Sequence, residues 1–101
     1  MFKMTFHVYM LRCVDGSYYV GHTDDLERRL AAHQSGEIGG YTRSRRPVRL
    51  VFCEEFASRE DAFLRERQLK GWSRRKKEAL IKGDWDSVKR LSRAHGSTGS
   101  P

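Results

Sequence analysis

The sequence predicts a small α+β domain, with three short strands and three or four helices in 101 residues. Three observations predict it. Two runs rich in aromatic and β-branched residues, 6–13 and 18–22, flank the turn-forming "VDGS" at 14–17. A third run, 48–56, alternates loosely between apolar and polar. Between and after these runs stand helix starts at Asp24, Ser58 and Ser73 and stops at Gly36 and Gly71. One domain of this length buries enough surface for a single core without disulfides or a structural metal.

The first strand spans Phe6 to Cys13, where Val8, Tyr9, Met10 and Leu11 supply β propensity, and the second spans Tyr18 to His22. Two registers are open. A two-residue turn at Asp15-Gly16 pairs Arg12 with Tyr19 and sends Tyr9 and Tyr19 to opposite faces. A three-residue loop, with Gly16 left-handed, pairs Leu11 with Tyr19 and Tyr9 with Gly21, so both tyrosines share a face.

The first helix is expected from Asp24, as N-cap with Glu27 as its capping-box partner, to about Ser35. Leu26, Leu30 and His33 fall on one stripe of it, with Arg29 beside them. "SGEIGGYTRSRRP" (35–47) lacks periodicity and reads as a loop. After the third strand, Ser58 starts a helix to about Lys70 whose inward face carries Ala62, Phe63 and Leu69. Glu66 shares that face, and an inward carboxylate is costly unless cations or donors meet it. Ser73 caps a third helix to about Lys82, residues 84–93 form a short fourth, and 94–101 have the composition of a disordered tail. Residues 1–5 read as a leader to a domain spanning 5–82.

The chain carries a net charge of +7, and the charge is clustered. "TRSRRPVR" (42–49) holds four positive charges and no negative one; "RERQLKGWSRRKK" (65–77) holds seven against one. Such clusters attract polyanions and release counterions on binding phosphates, which points to nucleic acid and nominates Arg43, Arg45, Arg46, Lys70, Arg74 and Arg75. Two cysteines imply no disulfide framework, and no run is apolar for long enough to span a membrane or serve as a signal peptide. The expected compartment is the cytoplasm, with no membrane partner.

The chemistry lies in the phenols of Tyr9 and Tyr19, with Arg29, His33 and Glu66. Singly, each is more ordinary as a packing or surface residue. Together they match the needs of phosphodiester hydrolysis: a group to take water's proton, a guanidinium for the charge gathering on phosphorus, and a carboxylate able to hold a divalent ion.

The spacing resembles the GIY-YIG nuclease family, here as "HVYML…YYVGHTDDLERRLAAH". "HVY" (7–9) stands where the first motif lies and "YVG" (19–21) matches the second. Arg29 follows Tyr19 by ten residues and His33 by fourteen. "YTR" (41–43) and "REDAFLRERQLKGWSRRKKEALI" (59–81) are similar to the small single-domain branch, like the nuclease domain of the excision-repair C subunit. His7 departs from the pattern, standing where the first motif has glycine.

The resemblance implies a three-stranded antiparallel sheet flanked by helices, the GIY-YIG nuclease fold. It favours the three-residue hairpin loop, because both tyrosines must face one site. It implies that Tyr9 and Tyr19 supply the phenols that activate water, Arg29 holds the scissile phosphate, His33 bonds a phenol or the phosphate, and Tyr41 is a further polar aromatic. Glu66 would bind a single Mg²⁺ or Mn²⁺. The product would be a 5′-phosphate and a 3′-hydroxyl on DNA, with repair, recombination or nucleic-acid turnover as settings. His22 reads as surface. The alternative is a non-catalytic nucleic-acid-binding module that keeps the fold; a weaker reading is an adaptor for an acidic protein.

Overall fold

The computed structural model describes residues 4–96. Its elements run β1 (Phe6–Arg12), β2 (Tyr18–Thr23), α1 (Leu26–Ser35), β3 (Arg49–Phe56), α2 (Arg59–Lys70), α3 (Arg74–Lys82) and α4 (Trp85–Gly96). The three strands form one antiparallel sheet in the order β2-β1-β3. The central place of β1 explains why Val8, Tyr9, Met10 and Leu11 are completely buried.

The hairpin adopts the three-residue loop. Gly16 takes φ +86°, a left-handed conformation that costs glycine little. Asp15 Oδ1 accepts from both the amide and the hydroxyl of Ser17, which fixes the turn. Leu11 therefore pairs with Tyr19 and Tyr9 with Gly21. Since strand side chains alternate, Tyr9, Leu11 and Tyr19 share one face. Val8, Met10, Val20 and His22 belong to the other.

On the first face, Leu26 and Leu30 of α1 pack with Tyr19 and Leu50 against buried Tyr9, Leu11, Cys13 and Val48. The cap of α1 differs from expectation by one residue. Asp25, not Asp24, accepts the Arg28 amide, and Thr23 Oγ1 in turn accepts from the Asp25 amide. Asp24 faces outward instead and pairs with Arg59 at 3.0 Å. The shift puts Glu27 one position short of a capping box. Gly36, left-handed at φ +82°, closes the helix as its position suggested.

Gln34 of α1 ties this helix to β3. Its Oε1 accepts from the Val48 amide at 3.1 Å and its Nε2 donates to the Val48 carbonyl, so one side chain satisfies both backbone groups of a buried residue. The loop before β3 is not wholly irregular, because Arg43–Arg45 form a 3-10 turn.

Helix α2 packs on the sheet and turns Ala62, Glu66 and Leu69 inward, with Ser58 Oγ accepting the Asp61 amide at its start. Phe63 was expected inward as well, but it is 41 % exposed. It lies a hundred degrees around the helix from Ala62 and rests on the edge of the His22 ring.

Residues up to Lys70 form one compact unit and those from Gly71 a second. In the second, Ser73 caps α3, Lys76 lies over the Trp72 ring at 4.0 Å, and Gly83 ends the helix in the left-handed region. Asp84 then accepts the Ser87 amide at the start of α4. That helix reaches Gly96, past the expected end at 93 and into the segment read as a tail. The remainder of that segment, and residues 1–3 of the expected leader, lie outside the described residues. No helix among the described residues is long and apolar enough to cross a membrane.

Gln34→Ala strips both partners from the buried Val48 backbone, at a cost of about 1–3 kcal/mol. In a domain of this size that lowers Tm by roughly 5–15 °C, measured by thermal unfolding; a drop below about 2 °C would show the tie to be idle.

Candidate active site

The site begins with a close approach. Tyr9 lies opposite Gly21 in the β1–β2 ladder, and its phenol crosses directly over the glycine backbone. A Cβ at position 21 would lie 2.5 Å from Tyr9 Oη and 3.2 Å from the Tyr19 ring. Any side chain there would displace the phenol, so this glycine is needed for space. Thus "YVG" encodes a seat for the tyrosine of "HVY".

Helix α1 and the loop after it complete the pocket. Tyr9 Oη is hydrogen-bonded to His33 Nε2 at 2.9 Å, and His33 Nδ1 to Thr42 Oγ1 at 2.8 Å. All three residues are at most 1 % exposed. The Tyr19 ring meets His33 edge-on at 5.1 Å, and Tyr41 stacks on Tyr19 at 6.3 Å with 22° between planes. Arg29, one helical turn before His33, is exposed and lines an open cavity of about 510 Å³ together with Arg28 and Ile38.

The charges act on the buried pair in opposite senses. Burial raises the Tyr9 phenol well above its ordinary range, and the nearby Tyr19 adds to the rise. The Arg29 guanidinium opposes it by its charge and by a side-chain hydrogen bond, while the Glu66 carboxylate adds a smaller push upward. His33 is lowered, by burial first and then by Arg29, so its imidazole is held neutral.

Glu66 is turned inward from α2. Its Oε1 is 2.5 Å from His22 Nδ1 and its Oε2 2.8 Å from Lys70 Nζ. His22 pairs with Val8 across the hairpin, so it projects to the α2 face. The groups expected on one core are therefore divided between two faces of the sheet, Tyr9 and Tyr19 on one and His22 with Glu66 on the other. His22, read as surface, is a direct partner of Glu66. The carboxylate is buried, which by itself would raise its pKa, yet the bonds from Lys70 and His22 outweigh that and hold it low. A buried, ionised carboxylate is the kind of oxygen donor a hard divalent cation takes, but both Glu66 oxygens are paired here and no group of three or more His, Cys, Asp or Glu side chains that could hold a metal stands among the described residues.

The basic candidates divide. Arg45 is built into the loop: it pairs with Asp15 at 3.0 Å, donates to the Tyr41 carbonyl and covers the Tyr41 ring at 3.8 Å. Arg46 donates to the carbonyls of Arg43 and Gln34, closing the end of α1. Lys70 holds Glu66, and Arg74 pairs with Glu78 within the second unit. Arg43 and Arg75 are exposed. The sequence reading does not single out Thr42, and it takes His22, a polar group directly after the second motif, as surface. Both are short polar residues beside a motif residue, and only the fold shows that they turn inward.

Comparison with known proteins identifies the family. The model of the GIY-YIG catalytic domain matches residues 5–79. The chain belongs to the GIY-YIG family. This GIY-YIG domain is similar to a UPF0213 protein of Bacillus pumilus, 46% identical over 80% of this chain and 83% of that protein. Among solved structures it is similar to the UPF0213 protein BH0048 from Bacillus halodurans, with 44% identity, a TM-score of 0.52, and coverage of 88% of this chain and 98% of that one. The protein EF2693 from E. faecalis is similar as well, with 41% identity, a TM-score of 0.57, and coverage of 80% and 86%. The shared GIY-YIG fold is the antiparallel sheet with flanking helices that the sequence resemblance implied. Membership places the chain in a nuclease superfamily.

Two outcomes test the pocket. Gly21→Ala forces the phenol off its seat, so urea unfolding should show a loss of about 1–3 kcal/mol. The NOEs between the Tyr9 and His33 rings should vanish; intact NOEs would refute the steric account. His33 supplies a pH test. Its folded pKa lies below the ordinary value of about 6.5, so below that pH the unfolded chain binds a proton the native ring refuses. Stability is therefore full above about 6.5, falls as pH drops from there, and levels off beneath the folded pKa. Between pH 7.5 and 5.5, wild type should lose more Tm than His33→Gln; equal losses would remove His33 as the cause.

Proposed function

We propose that this chain is a divalent-metal-dependent endonuclease that hydrolyses DNA phosphodiesters to 5′-phosphate and 3′-hydroxyl ends. The observation that carries this reading is the buried Tyr9 phenol, hydrogen-bonded to His33 and packed beside Tyr19, with exposed Arg29 one turn before His33 on the same helix.

The scissile phosphate enters along the cavity beside Arg29, whose planar guanidinium holds two of its oxygens and gains strength as charge builds on phosphorus. A tyrosine of the Tyr9–Tyr19 pair acts as base once its own proton has passed to solvent: the phenolate oxygen takes a proton from the attacking water and returns to the phenol. His33 orients that pair, touching the Tyr9 oxygen and packing edge-on against Tyr19. Tyr41, stacked on Tyr19 and clamped by Arg45, screens the pair from bulk water. Glu66 would hold Mg²⁺ or Mn²⁺, and such an ion would supply positive charge to polarise the phosphate. His22 and Lys70 keep Glu66 ionised and aimed meanwhile.

Binding is carried mainly by phosphate contacts, with exposed Arg43 and Arg75 as the freest candidates among the predicted set and Lys70 and Arg74 after exchange of their partners. Such contacts bring affinity without sequence reading and fall steeply with salt. Arg45 and Arg46 contribute by shaping the loop. A reading as a non-catalytic binding module has less support, because binding phosphates alone requires no buried Tyr9–His33 pair behind an exposed arginine.

Nicking of supercoiled plasmid at low salt, with Mg²⁺ or Mn²⁺ and an EDTA blank, tests the reading. Wild type should cut, and folded Glu66→Ala and Tyr9→Phe should each cut at least about a hundredfold more slowly. Plasmid bound but left intact, or full activity in Glu66→Ala, would return the assignment to a binding module.

A further inference from the structure

At the hairpin end of the sheet, Arg12 of the central strand lies opposite Tyr18 on one side and opposite Arg49 on the other. Directly paired residues project to one face, so Tyr18, Arg12 and Arg49 form a row across the three strands. The Arg12 guanidinium lies over the Tyr18 ring, 6.0 Å from its centre. Both arginines are exposed, both line one open cavity of about 390 Å³, and neither has an ion-pair partner among the described residues. Asp15, the acid of the adjoining hairpin loop, is taken by Arg45. The acids of β3 likewise meet other cations, Glu54 with Arg65 and Glu55 with His7. Like charges set directly opposite in a sheet repel and destabilise it, so the free domain carries an unrelieved cost at this row.

We infer that Arg12 and Arg49 form a clamp for a backbone phosphate of DNA, outside the Tyr9 pocket and beyond the cations nominated from sequence. The inference rests on the DNA-binding part of the reading above and needs no cleavage. A phosphodiester seated between the two guanidiniums replaces their repulsion by charge-assisted hydrogen bonds, one arginine to each of its free oxygens. The surroundings favour an extended polyanion over a single acid. Pro47 lines this cavity and also a second one of about 490 Å³, which carries exposed Arg43. No carboxylate lines either cavity. The two recesses adjoin at Pro47, so a backbone held between Arg12 and Arg49 meets a further cation as it continues. Exposed Val14 and Pro47 give the floor apolar surface without a side-chain donor for a base edge, so the clamp grips the backbone and reads no sequence.

Binding of a short fluorescent DNA duplex in EDTA, followed across salt concentrations, tests the clamp without cleavage. The double variant Arg12→Gln/Arg49→Gln should bind about tenfold more weakly at low salt, and its plot of log affinity against log salt should be shallower by about 0.9, the share of one phosphate. Poly-L-glutamate of matched charge should bind wild type and the double variant alike. Without DNA at low salt, Arg49→Gln should melt about 1–5 °C above wild type, and the gap should close at high salt, where the repulsion is screened. An unchanged salt slope overturns the inference, as does an Arg49→Gln protein that melts no higher than wild type. Poly-L-glutamate that loses affinity with the two arginines as steeply as DNA also overturns it, since the surface then serves an acidic protein. If the clamp meets these tests and wild type never nicks plasmid, the nuclease reading falls and the DNA clamp stands.

Discussion

The close passage of the Tyr9 phenol over the Gly21 backbone is the constraint on which the rest of this molecule depends. It fixes the hairpin register, because only the three-residue loop sets residue 9 opposite residue 21. It makes position 21 a glycine for want of space, since a Cβ would stand 2.5 Å from the phenol oxygen. It also decides where His33 must lie, because the oxygen so placed needs a buried partner and α1 supplies one at 2.9 Å. A packing restraint and a chemical arrangement are here one feature.

A second consequence is that the site straddles an edge strand. Tyr9, Tyr19, His33 and Arg29 approach β2 from the α1 face, while His22 and Glu66 approach from the α2 face. Edge strands are usually hazards because they expose unpaired backbone. In this domain both faces of the edge strand carry site residues, Tyr19 against His33 on one and His22 against Glu66 on the other.

The basic residues show how composition overstates a binding surface. Arg45 and Arg46 belong to a strongly positive run, yet one clamps Tyr41 and Asp15 and the other closes the end of α1. Their long side chains do mechanical work in a loop that has few apolar residues to hold it. Lys70 likewise faces an internal carboxylate. The positive charge of the chain is therefore partly an internal scaffold, and fewer cations than the sequence suggests are left for a polyanion.

The sequence by itself determined the strand and helix order, the inward turn of Glu66 and the spacing of Tyr9, Tyr19, Arg29 and His33. Those features are local: β propensity, caps, glycine stops and helical period are written within a few residues of where they act. The residues alone left two hairpin registers open, the family resemblance favoured the three-residue loop, and the structure adopts it; tertiary structure moved the α1 cap to Asp25, because Thr23 and Arg59 compete for the neighbouring groups, and left Phe63 outside. It also drew in His22, Gln34 and Thr42, whose partners are 44, 14 and 9 residues away. A polar side chain carries no sign in sequence of which distant group it will satisfy, because that is set by which faces the sheet and helices bury together.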